Sequence, residues 1–239
     1  MAIDSFMQPG ETLDDLQING LFILQKEKAF RFGTDAVALS NYAAKYIYKG
    51  KKVLDIGTGT GIIPILLSAK TGAAEFVGVE IQEDIADMAR RSVDLNIANG
   101  TLSPDRIKII NNDIKEMAAD RSWYDQFDCV VTNPPYYKLG TGYLNNRDSL
   151  LLARHEMTCT LDDIICASSR MLKQLGRFMM INRPERLADT IESMRKHGLE
   201  PKEIQFVYSQ ATQRPVMFLI YGVRGGGRQL IIEKGLVIN

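Results

Sequence analysis

The sequence predicts an α/β fold: a doubly wound, mostly parallel sheet that ends in an antiparallel hairpin, behind a short N-terminal hairpin–helix extension. Three observations predict it. From Lys52 onward, short β-branched runs alternate with longer amphipathic stretches. A glycine-rich turn, Gly57-Thr-Gly-Thr-Gly61, joins the first run to the first helix. Near the C-terminus, two strand-like runs follow each other with no helix of ordinary length between them.

In chain order, LQI and LFILQ flank Asn19-Gly20, a dipeptide suited to the positive φ positions of a type I′ hairpin turn. Thr34–Tyr48 reads as a helix, with Val37, Ala38, Tyr42 and Tyr46 at near-helical spacing. The alternation then gives Val53–Ile56 followed by a helix over Ile62–Lys70, Phe76–Glu80 followed by Glu83–Ile97, then Ile107–Asn111 and Phe127–Thr132. Continuous apolar strands separated by helices indicate a parallel sheet covered on both faces. A helix over Leu161–Leu175, the strand Arg177–Ile181 and a helix from Pro184 to about His197 follow; Pro184 suits a first turn and Gly198 a stop. Glu203–Tyr208 and Val216–Val223 form the closing hairpin, and Gly225-Gly226-Gly227 is a flexible break before a short last segment. With no repeat or Pro/Ser-rich linker, the expected organisation is an extension over 1–49 packed on a domain over 50–239.

Composition narrows the function classes. The 239 residues are 45% hydrophobic and 24% charged, which is ordinary for a soluble globular chain. The longest apolar runs, such as Ile62–Ala69, are too short for a bilayer, and MAIDSFMQPG lacks the pattern of a signal peptide. Three cysteines give no disulfide framework, so a reducing cytosol is expected. Cys129 reads as a small core residue, and Cys159 and Cys166 lack the spacing of a metal site, so no metal is expected. The 29 basic and 29 acidic residues cancel, which taken whole argues against a polyanionic partner. The cancellation is uneven: residues 1–169 hold 17 basic against 23 acidic side chains, and residues 170–239 hold 12 against 6. A solvated surface and an anion-facing third both fit that split.

The glycine loop is the first chemical signal. Glycines at 57, 59 and 61 let the backbone turn sharply and approach a ligand where any Cβ would clash. At the C-terminal end of a first parallel strand, that is where a nucleotide-like ligand sits. The spacing is G-x-G-x-G, not the dinucleotide pattern, since position 62 is Ile. Asp55, two residues before the first glycine, disfavours a pyrophosphate and suits a ligand carrying an ammonium. S-adenosyl-L-methionine has an ammonium, a sulfonium and no phosphate. Glu80 ends the second strand, where an acid can accept both ribose hydroxyls. Asp113, after the third strand, suits an adenine amino group, with the adjoining backbone at Ile114 reading the ring edge. Asp113 equally suits a helix cap.

The fourth strand runs into Asn133-Pro134-Pro135-Tyr136. Two prolines cannot continue a central strand, so the chain leaves the sheet there, beside the glycine loop. Proline fixes φ and makes the Asn133 side chain and the Pro134 carbonyl a stiff pair of acceptors for a planar amino group. Drawing its hydrogens out of conjugation frees the nitrogen lone pair for attack on a methyl donor. Tyr136 offers a face for stacking a base taken out of its stack.

DIGTGTG followed by NPPY resembles the amino-directed class of S-adenosylmethionine-dependent methyltransferases. Phe30-Arg31-Phe32-Gly33-Thr34-Asp35 and Ala153-Arg154-His155-Glu156 narrow the resemblance to bacterial tRNA (adenine-N6) methyltransferases acting at position 37 of a valine tRNA. It implies a Rossmann-like methyltransferase fold with a seven-stranded, mostly parallel sheet. It also implies that Asp55, Gly57 and Gly59 contact the methionine part of the cofactor, Glu80 the ribose and Asp113 the adenine, with Asn133, Pro134 and Tyr136 on the target base. Thr34 and Asp35 would close over the methionine end. The implied partner is a tRNA; a cytosolic location without membrane attachment is expected, and the sequence leaves the oligomeric state open, with a monomer favoured. The rivals are a protein glutamine methyltransferase, an rRNA guanine-N2 methyltransferase and a module that holds the cofactor without catalysis. An intact NPPY argues against the last. Lys138, Arg147 and Arg154 can guide a nucleic-acid backbone, as can Arg214, Arg224 and Arg228; His155 reads either as a contact to RNA or as a helix-end histidine.

Overall fold

Four parallel strands make the frame on which everything else is placed. They are β3 (Lys52–Ile56), β4 (Glu75–Glu80), β5 (Ile107–Asn111) and β6 (Phe127–Thr132). A computed structural model of the chain describes residues 3–27, 33–134 and 159–238. β3, β4 and β6 are mostly apolar because both of their faces are covered, while β5, at the edge of the sheet, exposes Lys108. Alternate residues divide between two cores: Val53, Phe76 and Cys129 pack on one face, and Leu54, Val77 and Val130 on the other. The first face carries α1 (Thr34–Ala44), α2 (Ile62–Lys70) and α3 (Glu83–Ala98). The second carries α4 (Ile114–Ala119), α5 (Leu161–Met171) and α6 (Leu187–Lys196).

The sheet continues through β7 (Leu172–Asn182), β8 (Leu199–Ser209) and β9 (Met217–Arg224). β9 is inserted antiparallel between β7 and β8, so the expected closing hairpin is present. These seven strands, β3 to β9, are joined by an eighth. The segment beyond Gly227 forms β10 (Ile231–Ile238), parallel to β8, giving the order β10-β8-β9-β7-β6-β3-β4-β5. Its backbone takes up the outer edge of β8, and Gln205 Nε2 donates to the Lys234 carbonyl at 2.9 Å.

Two helices are shorter than their periodicity predicts. α1 stops at Ala44, and the Tyr46 carbonyl instead accepts from Arg177 Nη1 at 2.6 Å. α5 stops at Met171, where the carbonyls of Arg170 and Met171 accept from the backbone of Asp125 and Gln126. Leu172 then pairs with Phe127 and the chain is already strand. Tertiary hydrogen bonds end both helices. α5 begins with a capping box, in which Thr160 and Asp163 satisfy each other's backbone N–H.

The N-terminal hairpin, β1 (Glu11–Asp15) and β2 (Phe22–Lys26), turns through Asn19 and Gly20 at φ of 50° and 68°. Leu21 N donates to Ile18 O at 3.0 Å, which completes the expected type I′ turn. Helix α3 closes the edge of β2. Asn96 Nδ2 donates to Phe22 O at 2.7 Å, Asn96 Oδ1 accepts from Phe22 N at 2.9 Å, and Ser92 Oγ accepts from Leu24 N at 3.0 Å. Arg91, on the same helix, grips Glu11 with two bonds of 2.6 Å.

Part of the basic C-terminal third is paired within the fold. Lys173 pairs with Asp128, Lys196 with Asp162 and Arg224 with Asp125, so three of its twelve cations meet acids of the first 169 residues, while Arg186 and Arg195 pair with Asp189 and Glu200 inside the third itself. Arg177 stacks over Tyr48 at 4.0 Å. Among the described residues, no helix is long and apolar enough to cross a membrane, and no group of three His, Cys, Asp or Glu is placed to hold a metal.

Candidate active site

Strand register puts the chemistry in one line. Ile56 pairs with Val79 on one side and Thr132 on the other, and Glu80 pairs with Asn111. The next residues of each strand, Gly57, Asn112 and Asn133, therefore leave the sheet along a single C-terminal edge, with Glu80 between them. Thr132 Oγ1 donates to Ile56 O at 2.9 Å and locks β6 to β3 at this edge.

The glycine loop turns through three left-handed backbone positions. Gly57, Gly59 and Gly61 have φ of 71°, 56° and 84°, so each needs a glycine. At Gly57 and Gly59 an added Cβ would meet no described residue within 4 Å, which leaves an open cradle along the loop among the described residues. Val79 O accepts from the N–H groups of Gly57 and Thr58, which holds the turn against β4. At Gly78, a Cβ would sit 2.7 Å from the Thr58 hydroxyl, so a glycine on β4 makes room for the loop.

Asp55 lies beneath this cradle, 2% exposed, and neither of its carboxylate oxygens has a hydrogen-bond partner among the described residues. Burial pushes its pKa up to about 7; the nearby Thr58 hydroxyl opposes that shift and the Glu80 carboxylate adds to it. A buried, unpaired carboxylate costs free energy unless a cation meets it. Glu80 is also buried, with Oε2 accepting from Gly59 N at 3.0 Å and Oε1 from Gln82 N at 2.9 Å. Each oxygen keeps a second lone pair, the capacity that a pair of ribose hydroxyls requires. The residues present fit a ligand with an ammonium at one end and a ribose near Glu80.

Asp113 caps α4, accepting from Lys115 N at 2.8 Å through Oδ1. The helix-cap role left open by the sequence is thus filled, and Oδ2 stands beside it at the same edge. Ile114, the first residue of α4, is buried. Ile81, directly after Glu80, is 40% exposed and gives the edge an apolar face that sequence reasoning passed over. Its signal was an apolar residue at a turn following a strand-ending acid.

Asn133 and Pro134 stand at the opposite end of the line, Pro134 buried. The Asn133 Nδ2 group donates to Asp35 Oδ2 at 2.9 Å, and Asp35 Oδ1 accepts from Ala36 N at 2.9 Å in the first turn of α1. Thr34 is exposed beside it. Tyr136, Pro135, Phe30, Arg31, Phe32, Lys138, Arg147, Arg154 and His155 lie outside the described residues. His197, the second histidine, is structural: its ring nitrogen meets Asp162 at 3.0 Å and ties α6 to α5.

Residues 47–215 match the methyltransferase domain family. The chain belongs to this family. Among curated relatives, a tRNA1(Val) (adenine(37)-N6)-methyltransferase of Porphyromonas gingivalis is 36% identical over 166 residues, covering 67% of this chain and 62% of its own length. One of the same description from Flavobacterium johnsoniae is 29% identical over 167 residues, covering 69% and 66%. The chain thus spans under two thirds of the length of these relatives. A solved structure of a predicted O-methyltransferase from Agrobacterium tumefaciens superposes with a TM-score of 0.66 over 85% of this chain and 86% of that one, at 21% identity, a likeness of fold. Within the methyltransferase domain, the cradle, Asp55, Glu80 and the Asn133–Pro134 turn share one edge of the sheet. The hairpin and β10 fall outside the residues matched.

Proposed function

We propose that this chain transfers a methyl group to the exocyclic N6 amino group of an adenosine in tRNA, beside the anticodon at position 37 of a valine tRNA. It acts in the cytosol as a monomer. The cofactor is S-adenosyl-L-methionine, which supplies the electrophilic methyl. The observation that carries this reading is the alignment of Asn133 and Pro134 with the glycine cradle on adjacent strands. The curated relatives are named for that tRNA activity.

Asp55 meets the ammonium, the backbone at Gly57 and Gly59 lies against the methionine part, and Glu80 accepts from the ribose. Ile81 packs on the adenine, and Asp113 with the backbone at Ile114 addresses its edge. At the target, the Asn133 side-chain oxygen and the Pro134 carbonyl accept the two amino hydrogens, and Tyr136 stacks on the extruded base. Both acceptors hold the amino nitrogen with its lone pair out of the ring plane. Its proton leaves after transfer, so no strong base is required. Alignment and electrostatics do the work.

The test is incubation of the full chain with labelled cofactor and separate tRNA, rRNA and protein pools, followed by nucleoside and residue analysis. Label in N6-methyladenosine of the tRNA pool is expected. Label in N2-methylguanosine or in glutamine would replace the reading with one of the rivals.

A further inference from the structure

We infer that Asp35 is a positioning residue for the transfer: its carboxylate holds the Asn133 side-chain amide in the one orientation that presents oxygen to the target amino group. This rests on the proposed methyl transfer to an amino nitrogen. Asp35 and Asn133 are 98 residues apart, and the fold brings Asp35 Oδ2 to 2.9 Å from Asn133 Nδ2.

An asparagine amide has nearly the same shape with its oxygen and nitrogen exchanged, so packing alone does not choose between the two orientations. A carboxylate does choose. It is acceptor-only when ionised, so it takes the NH2 branch and repels the carbonyl branch. With NH2 committed to Asp35, the oxygen lies on the other branch of the planar group. The opposite orientation would aim two N–H donors at a substrate that itself offers N–H donors, which blocks the hydrogen bond that frees the lone pair.

Asp35 is itself fixed. It is buried, it lies in the first turn of α1, and its second oxygen accepts from Ala36 N at 2.9 Å. The helix N-terminus favours a negative charge at that position. Gly33 contributes as well, since a Cβ there would come within 2.7 Å of Asp35 Oδ1. The charge has a second consequence. A carboxylate accepting from the amide N–H polarises the amide, so its oxygen becomes a stronger acceptor as the attacked nitrogen gains positive charge. The resemblance places Asp35 over the cofactor's methionine end; the geometry points to a role exercised through Asn133.

The experiment uses the full chain, reading single-turnover transfer to tRNA at saturating cofactor beside cofactor affinity by calorimetry. Asp35→Ala should slow transfer by about 100-fold, the scale of a lost preorganised group, with cofactor Kd within about threefold. Asp35→Asn keeps an acceptor oxygen without the charge and should cost about tenfold, by roughly half that free energy. Asn133→Asp sets a second acid against Asp35 and should be nearly inactive. The double variant Asp35→Asn/Asn133→Asp restores a donor facing an acceptor and should recover at least about tenfold over Asn133→Asp alone. A cofactor Kd raised tenfold by Asp35→Ala with an unchanged transfer rate would overturn the inference, as would no recovery in the double variant. A separate arm needs no RNA: the Asn133 side-chain amide signals in 15N NMR should move in Asp35→Ala, and unmoved signals sink the inference. Wild-type protein that methylates no tRNA adenosine would remove the proposed function, while the NMR arm still decides the Asp35 contact.

Discussion

Two buried acids in this molecule live opposite lives. Glu11, in the seam between the hairpin and α3, has a bidentate Arg91 partner and a further bond from Gln8 N at 2.8 Å. Arg91 holds its carboxyl below the ordinary value, against the opposing pull of burial. Asp55, in the cradle, has no hydrogen-bond partner among the described residues, and burial raises its pKa to about 7. The seam also gives Phe22 and Leu24 side-chain partners on the helix for their backbone groups. The difference separates a joint from a site. A joint closes its hydrogen bonds inside the chain, and a site leaves a charge waiting for a partner from outside.

The comparison can be broken in several ways. Asn133→Ala should lower methyl transfer by about 100- to 1,000-fold with cofactor binding preserved, measured with labelled cofactor on tRNA. Transfer at the wild-type rate would take Asn133 out of the machinery. Arg91→Ala should destabilise the chain by about 3 kcal/mol in urea unfolding, because Glu11 is left buried without its cation. Its side chains are 17% and 6% exposed, so solvent screens the pair little. Cofactor affinity should not move.

Asp55 and Glu11 also predict opposite pH dependences. The Asp55 pKa is raised on folding, so the folded chain holds its proton more tightly than the unfolded chain. Stability then falls as pH rises from about 4 towards 7, and the penalty stays above that. Glu11 has its pKa lowered, so its contribution is present above its unfolded value and is lost as pH falls through the folded one. Asp55→Asn should therefore gain about 2 kcal/mol on wild type between pH 5 and pH 7 in thermal melts without cofactor. Saturating cofactor should narrow that gap. A constant difference across the range would show that Asp55 does not titrate there.

The smallest effect sharpens the contrast most. Gly59 and Gly10 have φ of 56° and 81°, and a Cβ meets nothing within 4 Å at either. Alanine at each should cost about 1 kcal/mol of stability from the left-handed backbone. Only Gly59→Ala should also weaken cofactor binding, by tenfold or more in calorimetry, because only that space belongs to the cradle. Equal affinities in the two variants would count against the loop as the methionine contact.

Much of this was legible in the residues. The β-branched alternation placed β3 to β6 to within a residue, since a strand buried on both faces has to be apolar throughout. Asn19-Gly20 announced the turn that forms. The glycines, Asp55, Glu80 and Asn133 stand out as motifs because positive φ and strand-end geometry restrict residue type locally. Other features left no local mark. The ends of α1 and α5 are decided by distant N–H donors, and the pairing of Lys173, Lys196 and Arg224 with Asp128, Asp162 and Asp125 joins residues far apart in the chain.

By itself, then, the sequence determined the alternating layers, the glycine loop and the exit of β6 at Asn133-Pro134, because each depends on residue type within a few positions. The tertiary structure alone decided that β10 lines the edge of β8, that the Asp55 pKa stands near neutrality and that Asp35 reaches Asn133. Those depend on burial and on pairs far apart in the chain, and neither desolvation nor long-range contact has a period that a linear pattern can display.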